Sequence, residues 1–180
     1  MKTIALFGGS FDPPHLGHKA VVEALLNLEE INTVLLMPTF LNPFKSGSFA
    51  PASLRFKWLK EIFSNFKDVR IDAFEVNQAK KVPSIESVEY LLKSYDKVYL
   101  VIGADNLKSL EKWYRFKELE QKVTFIVAPR DKIVIPDKFL QLNVDSNISS
   151  SAFRENFNAD NLAEINAKEI VKYYKENNER

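Results

Sequence analysis

Near the amino terminus, the apolar run Ile4-Ala5-Leu6-Phe7 leads directly into the stretch Gly8-Gly9-Ser10-Phe11-Asp12-Pro13-Pro14-His15-Leu16-Gly17-His18. The apolar run predicts a first β-strand, and the apolar spacing that follows His18 predicts one face of a helix. Glycine lets the backbone approach an anion closely, and the unpaired N–H groups of a first helical turn point towards it. His15 and His18 stand three residues apart and share that face of the helix. The stretch therefore predicts a phosphate site between a first strand and a first helix.

The parts of this stretch have simpler interpretations when they are taken alone. A glycine pair after a strand is typical of a tight turn, and a histidine pair at this spacing is typical of a surface or of a metal site. Zinc needs a third ligand, and usually four for a structural site. The chain has no cysteine and only these two histidines, so we predict no metal site here.

Strand-like and helix-like patterns alternate along the rest of the chain. Apolar runs of strand length recur at 33–37, 69–73, 98–102 and 123–127, and three of them are nearly continuous. Continuous apolar runs are typical of parallel strands that are covered on both faces. Between them, helical stripes cover 54–66, 84–95 (with Ser84 as a candidate cap) and 163–176. We predict an α/β fold: a Rossmann-like, doubly wound parallel sheet of about five to six strands with helices on both faces, in one domain over residues 1–180.

Composition limits the classes of partner. Of the 180 residues, 46% are hydrophobic and 27% are charged, which fits a globular protein. Twenty-five basic and 24 acidic residues leave a net charge of +1, so we expect no nucleic-acid or membrane partner. The apolar run at the amino terminus stops at Gly8 and lacks a small-residue cleavage site, and no apolar stretch approaches the roughly 20 residues that span a bilayer. We predict a cytoplasmic protein.

Four further groups of residues suggest a site, each with a simpler alternative. The serines of 148–154 could bind a phosphate or only cap a helix, and Asp105 after Gly103 could bind a ribose or only cap a helix start. Trp113 could belong to the core or to a ligand site. Lys45 lies in the long connection between Pro38 and Pro51. A lysine in such a loop is normally only solvated, although long loops are often functional.

The ordered motif Gly-Gly-Ser-Phe-Asp-Pro-x-His-x-Gly-His resembles the nucleotidyltransferases that carry a His-x-Gly-His signature, and its first six residues resemble bacterial nicotinate-nucleotide adenylyltransferases. The stretch 148–154 is similar to the family motif Ile-Ser-Ser-Thr-x-x-Arg, with Ser151 in place of threonine. The resemblance implies transfer of the adenylyl group from ATP to nicotinate mononucleotide, giving deamido-NAD and pyrophosphate. It also implies Mg²⁺ that is delivered with ATP.

The resemblance assigns roles to residues of this chain by their place in the motifs. The implied catalytic residues are His15, His18, Lys45 and Arg154. The implied ATP-binding residues are Gly8, Gly9, Ser10, Phe11, Gly17, Gly103, Asp105, Ile148, Ser149, Ser150 and Ser151. The implied mononucleotide-binding residues are Ser84, Ser87, Trp113, Tyr114 and Arg130, with Trp113 stacking on the pyridine ring.

The chain also departs from the family pattern. Lys45 lacks the Pro-Pro and His that usually precede it, and the stretch 83–87 lacks an aromatic residue, which leaves open whether Ser84 or Ser87 contacts the mononucleotide. The alternatives are another adenylyl- or cytidylyltransferase, with phosphopantetheine or nicotinamide mononucleotide as acceptor, or a nucleotide-binding regulator without catalysis. The sequence leaves the oligomeric state open.

Overall fold

A six-stranded sheet forms the centre of the molecule. The computed structural model describes residues 1–145 and 148–177. The strands are β1 (Thr3–Gly9), β2 (Thr33–Pro38), β3 (Val69–Ile71), β4 (Lys97–Gly103), β5 (Val123–Ala128) and β6 (Leu140–Gln141). Their order is β3-β2-β1-β4-β5-β6, and every neighbouring pair is parallel. The predicted doubly wound parallel sheet is confirmed.

Helices connect the strands and cover the sheet. They are α1 (Leu16–Leu26), α2 (Ala52–Ile62), α3 (Phe74–Gln78), α4 (Ser84–Leu91), α5 (Phe116–Lys122), α6 (Ser150–Asn156) and α7 (Ala167–Asn177), with 3-10 helices at Ala104–Lys112 and Ala159–Asn161. Alternate residues of β1 enter two different apolar clusters, Ile4 and Leu6 on one face and Ala5 on the other. Because successive side chains of a strand point to opposite faces, both faces of the sheet are buried, which explains the nearly continuous apolar runs.

A third apolar cluster lies apart from the two that cover the sheet. Residues of α2, α6, α7 and their neighbouring loops form it: Ala50, Trp58, Phe153, Leu162, Ile170 and Tyr174. The indole N–H of Trp58 donates to Glu169 of α7 over 3.1 Å. This cluster fixes the last helix against α2.

Two local predictions were wrong in detail, and one strand was missed. Pro83, not Ser84, is the N-cap of α4, and no side-chain hydrogen bond caps that helix. The last helix begins at Ala167, after the 3-10 helix Ala159–Asn161, rather than at residue 163. Strand β6 was not predicted, because it is only two residues long and both are exposed.

The order of the strands places a cleft at one edge of the sheet. β1 and β4 are neighbours, and the chain runs from β1 to β2 on one side of this pair and from β4 to β5 on the other, so the strand order reverses between them. In such sheets, ligands bind beyond the carboxyl ends of the strands at this reversal. Gly8 and Gly9 end β1, and Gly103 ends β4 beside it.

Among residues 1–145 and 148–177, no helix has the length and apolar character needed to cross a membrane.

Candidate active site

A cleft of about 540 Å³ opens above the carboxyl ends of β1 and β4. This volume lies within the range of small-molecule sites. The predicted site residues that line it are Gly8, Gly9, Ser10, Phe11, His15, Gly17, His18, Lys45, Ser84, Gly103, Asp105, Trp113, Arg130, Ile148, Ser149, Ser150, Ser151 and Arg154. Segments that are far apart in sequence therefore meet at one site. Two predicted residues, Ser87 and Tyr114, do not line the cleft.

The two histidines form a reciprocal cap at the start of α1. His15 is the N-cap residue, and its Nδ1 accepts a hydrogen bond from the Gly17 N–H over 3.1 Å. The Nδ1 of His18 accepts from the His15 N–H, also over 3.1 Å. The rings stack with their centroids 3.7 Å apart. A nitrogen that accepts carries no proton, so each neutral ring carries its proton on Nε2.

The environment of the pair keeps both rings uncharged. Burial, with a smaller contribution from the positive charge of Arg130, lowers the pKa of His15 to about 3. Burial lowers the pKa of His18 well below its usual value, and His15 and Arg130 lower it further. The pair therefore offers two neutral Nε2–H donors beside a cationic guanidinium. Such donors suit an anionic phosphate.

Phe11 supports the histidines from behind. Its backbone lies in the left-handed region, with φ of 48°, which is unusual for a bulky residue. The ring is buried, and its centroid lies 4.7 Å from that of His18. A Cβ at Gly9 would lie 3.4 Å from the same ring. Phe11 therefore packs against His18, and a Cβ at position 9 would make only an ordinary contact with its ring.

The serines of 149–151 stand at the start of α6. Ser149 is the N-cap, and its Oγ accepts from the Ala152 N–H over 3.1 Å, so the simpler capping interpretation is confirmed. The hydroxyl of Ser150 donates to the carbonyl of Pro13 over 2.9 Å. The bond from Ser150 joins α6 to the loop that precedes the histidines.

Arg154 lies one turn further along α6. Its guanidinium donates to the carbonyl of Asp12 and lies 4.1 Å from the ring centre of Phe49. The side chain therefore packs against both the loop before the histidines and the end of the loop that carries Lys45.

Asp105 stands where β4 ends. The N-cap of the 3-10 helix is Gly103, with no side-chain cap, so the alternative of Asp105 as a cap was wrong. A Cβ at Gly103 would lie 2.5 Å from a carboxylate oxygen of Asp105. Glycine at 103 therefore lets the carboxylate fold back over the strand end.

The structure separates the two candidate serines of α4. Ser84 lines the cleft, whereas Ser87 is buried and its hydroxyl donates to Glu75 over 2.7 Å. Ser87 lies one turn further along α4, where it contacts Glu75 instead of the cleft. Glu75 itself lines the cleft, and burial raises its pKa to about 7 although the bond from Ser87 lowers it. The sequence reasoning missed Glu75, because no motif marks it.

Trp113 combines the core and the ligand interpretations. It packs against the apolar cluster on one face of the sheet and also lines the cleft. Its indole N–H has no hydrogen-bond partner within the described part of the chain. The ring of Phe44 lies 6.3 Å away, centroid to centroid. Tyr114 is 62% exposed, so its predicted contact with a mononucleotide has no support from this geometry.

Sequence reasoning missed Arg55, a fully buried cation beside the cleft. Its place on an amphipathic helix gives no signal, since arginine is normally exposed there. Within residues 1–145 and 148–177, no group of three or more His, Asp or Glu side chains is placed to hold a metal ion.

Comparison with known proteins gives consistent findings. The family model described as cytidylyltransferase-like matches residues 6–156. A probable nicotinate-nucleotide adenylyltransferase of Sulfurimonas denitrificans is 56% identical over 98% of this chain and 97% of its own length. A probable nicotinate-nucleotide adenylyltransferase of Campylobacter fetus is 46% identical over 98% and 99%.

Solved structures share the fold. The nicotinic acid mononucleotide adenylyltransferase of Plasmodium falciparum, complexed with NaAD, aligns with a TM-score of 0.75 at 20% identity. It covers 99% of this chain and 97% of its own. A putative nicotinate-nucleotide adenylyltransferase of Vibrio parahaemolyticus aligns with a TM-score of 0.71 at 23% identity, over 96% of this chain and 99% of its own.

Proposed function

Because this chain belongs to the cytidylyltransferase-like family, we propose that its cleft joins a nucleotide to a phosphate acceptor. The protein is a nucleotidyltransferase: it transfers the adenylyl group of ATP to nicotinate mononucleotide, giving deamido-NAD and pyrophosphate in NAD biosynthesis. The observation that carries the proposal is the neutral histidine pair. Both Nδ1 atoms are used by backbone N–H groups, which leaves two Nε2–H donors in one cleft.

The reaction requires positioning and charge stabilisation from the protein. The attacking phosphate is already an anion at neutral pH, so no general base is needed. The oxygen of that phosphate forms a bond to the α-phosphorus of ATP while the bond from this phosphorus to the bridging oxygen of pyrophosphate breaks. The protein has to hold the attacking oxygen in line with the leaving pyrophosphate and stabilise the charge that builds on the α-phosphate. We assign the second task to His15 and His18.

Three cations surround the proposed phosphate path. Arg130 lies near enough to the histidines to lower the pKa of both, and Lys45 and Arg154 line the same cleft. We propose that Lys45 and Arg154 offset the charge of leaving pyrophosphate. Arg130 was expected at the mononucleotide, but its proximity to the histidines supports a phosphate contact instead.

The other subsites follow from the carboxyl ends of the strands. We propose that Asp105 accepts hydrogen bonds from the ribose hydroxyls of ATP, since an ionised carboxylate suits vicinal hydroxyls. We propose that Ser84 rather than Ser87 contacts the mononucleotide, and that Trp113 stacks on the pyridinium ring. The backbone near Gly8, Gly9 and Ser10 and the start of α6 would then enclose the phosphates.

Magnesium enters the proposal as part of the substrate. Mg²⁺ binds through substrate phosphates and one or two carboxylates in many nucleotide enzymes. We propose that it arrives as the ATP complex, and that the enzyme works in the cytoplasm, where ATP is available.

One acceptor comparison tests the proposal. Pyrophosphate release from ATP is measured with nicotinate mononucleotide, nicotinamide mononucleotide and phosphopantetheine in parallel, and then with CTP in place of ATP. We expect turnover with ATP and nicotinate mononucleotide. No turnover with either pyridine mononucleotide would refute the proposal, and turnover only with phosphopantetheine or with CTP would assign the chain to another transferase of the family.

A further inference from the structure

We propose that Arg55 is a positioning residue, which holds the loop that carries Lys45 against the loop that carries the histidines. The histidine loop is residues 10–15, which ends at His15 and leads into α1 with His18, and the lysine loop is residues 40–50. This inference rests on the proposed function for the role of Lys45, but the contacts that support it do not.

Arg55 bonds to three separate places in the backbone. From α2, its Nε donates to the carbonyl of Ala50 over 3.0 Å, and one terminal nitrogen donates to the carbonyl of Phe40 over 3.0 Å. The other terminal nitrogen donates to the carbonyl of Ser10 over 2.6 Å. One guanidinium therefore joins both ends of the lysine loop to the start of the histidine loop.

Asp12 makes a second set of bonds between the same loops. Its carboxylate accepts from the N–H groups of Phe49 and Ala50 over 2.7 and 3.0 Å. It also accepts from the hydroxyl of Tyr174, which comes from α7. The carboxylate lies close enough to Arg55 to favour its charged form, against burial, which lowers the pKa of Arg55. The two opposite charges therefore favour each other electrostatically, while the hydrogen bonds of Arg55 go to backbone carbonyls and two of those of Asp12 come from backbone N–H groups of the same loops.

Arginine is specific for this task. Its planar group offers donors in fixed directions, whereas lysine offers a single point charge. A buried charge is costly, and an apolar residue of similar volume would fill the space without that cost. An apolar residue lacks these directed donors. Because Arg55 lies at the base of two loops and donates to both, we infer that it fixes their relative position.

The position of Lys45 follows from these bonds. Lys45 lies midway between Phe40 and Ala50, the two residues that Arg55 holds. The middle of the lysine loop is exposed, and within it the Asn42 side chain and carbonyl accept from the N–H groups of Phe44 and Lys45. The base of the loop is therefore fixed by the bonds of Arg55 and Asp12, whereas its middle is exposed. Fixing the base limits where Lys45 can reach relative to His15 and His18.

The first experiment measures the structural link without substrate. Hydrogen exchange is compared in the wild type, Arg55→Lys and Arg70→Lys, where Arg70 is an exposed arginine on β3 that serves as a matched control. We expect the amides of Phe49 and Ala50 to exchange about tenfold faster in Arg55→Lys, with β1 and β4 unchanged. Unchanged exchange at these two amides would overturn the inference, even if the proposed reaction is confirmed.

The second experiment asks whether Arg55 acts through Lys45. Activity with ATP and nicotinate mononucleotide is measured for Arg55→Lys, Lys45→Ala and the double variant. We expect Arg55→Lys to lower kcat/KM about tenfold in the wild type but less than about twofold in the Lys45→Ala background. Equal losses in both backgrounds would show that Arg55 does not act through Lys45. An inactive wild type would count against the proposed function and leave the exchange result to decide on the structural link.

A second variant covers the case in which Arg55→Lys does not fold. Tyr174→Phe keeps the ring that packs in the third apolar cluster and removes only the hydroxyl that donates to Asp12. We expect faster exchange at Phe49 and Ala50 and a smaller loss of kcat/KM that again disappears in the Lys45→Ala background. A loss that persists there would also overturn the inference.

Discussion

The histidine pair leads to a prediction in which activity and stability should change independently. His18 uses its two ring nitrogens for different tasks: Nδ1 accepts from the His15 N–H, and Nε2–H is the proposed donor to phosphate. Asparagine places an acceptor near the position of Nδ1 but has no group that reaches as far as Nε2. Glutamine reaches the position of Nε2 but cannot accept from the His15 N–H in the same way. The variants His18→Asn and His18→Gln therefore each retain one task.

The size of each effect follows from the contact that is lost. A donor that is aimed at charge developing in the transition state contributes about 3 kcal/mol, or roughly a hundredfold in rate. We expect His18→Asn to lose about that much in kcat and His18→Gln to lose clearly less. The capping hydrogen bond contributes about 1 kcal/mol, so we expect His18→Gln to be less stable than His18→Asn by about that amount. Both variants lose the ring that stacks on His15, so this cost cancels between them.

Two measurements on the same preparations test this reasoning. Initial rates of pyrophosphate release give kcat and KM, and denaturant unfolding gives the free energy of unfolding. His18→Ala, which loses both tasks, serves as the lower limit in each assay. The reasoning fails if kcat stays near the wild-type value in His18→Asn while only KM rises, or if the two variants rank in the same order for activity and for stability.

Three further outcomes are expected. The pKa of His15 is about 3 in the folded protein and about 6.5 when unfolded, so the unfolded chain binds more protons between these two pH values. The free energy of unfolding should therefore fall as pH drops below 6.5, by up to about 1.4 kcal/mol per pH unit. His15→Asn should flatten that slope in acid titrations followed by circular dichroism. Trp113→Ala should raise KM for nicotinate mononucleotide by a few-fold to about thirtyfold with KM for ATP nearly unchanged, since cation–π contacts contribute about 0.5 to 2 kcal/mol; an unchanged KM together with a large loss of stability would assign Trp113 to the core alone. The lysine loop should be better protected from proteolysis with nucleotide than without it, and equal cleavage rates would count against its closing on the substrate.

The parts that the sequence predicted well are those in which the signal is local. The strands that flank the cleft are nearly continuous apolar runs, and the histidines, the first strand and the first helix are adjacent in the chain. The contacts that a side chain makes at the start of a helix depend on residues that are distant in the sequence. Ser84 and Ser87 are both serines of α4, and the sequence does not distinguish them. The structure does, because Ser87 donates to Glu75.

Arg55 shows the limit of such reasoning. In the sequence it is one charged residue in a helix with an apolar stripe, and nothing near it in the chain requires burial. It is buried because carbonyls from Ser10 and Phe40 meet it in space. Strand β6 escaped prediction for a related reason, since a two-residue strand depends on its neighbour β5 and not on its own pattern.

The third apolar cluster has a consequence for the response of the protein to heat. It is separate from the two clusters that hold the sheet. Proteins open locally in cooperative units at free energies below that of global unfolding, and we expect this cluster to be such a unit. Tyr174 belongs to this cluster and also donates to Asp12, so opening of the cluster releases the histidine loop. On warming, activity should then be lost several degrees below the temperature at which the sheet unfolds. Activity should return on cooling as long as the sheet has remained folded. Adaptation to a warmer or colder habitat would accordingly act first on the packing between α2, α6 and α7, through side chains of the third cluster that do not themselves line the cleft.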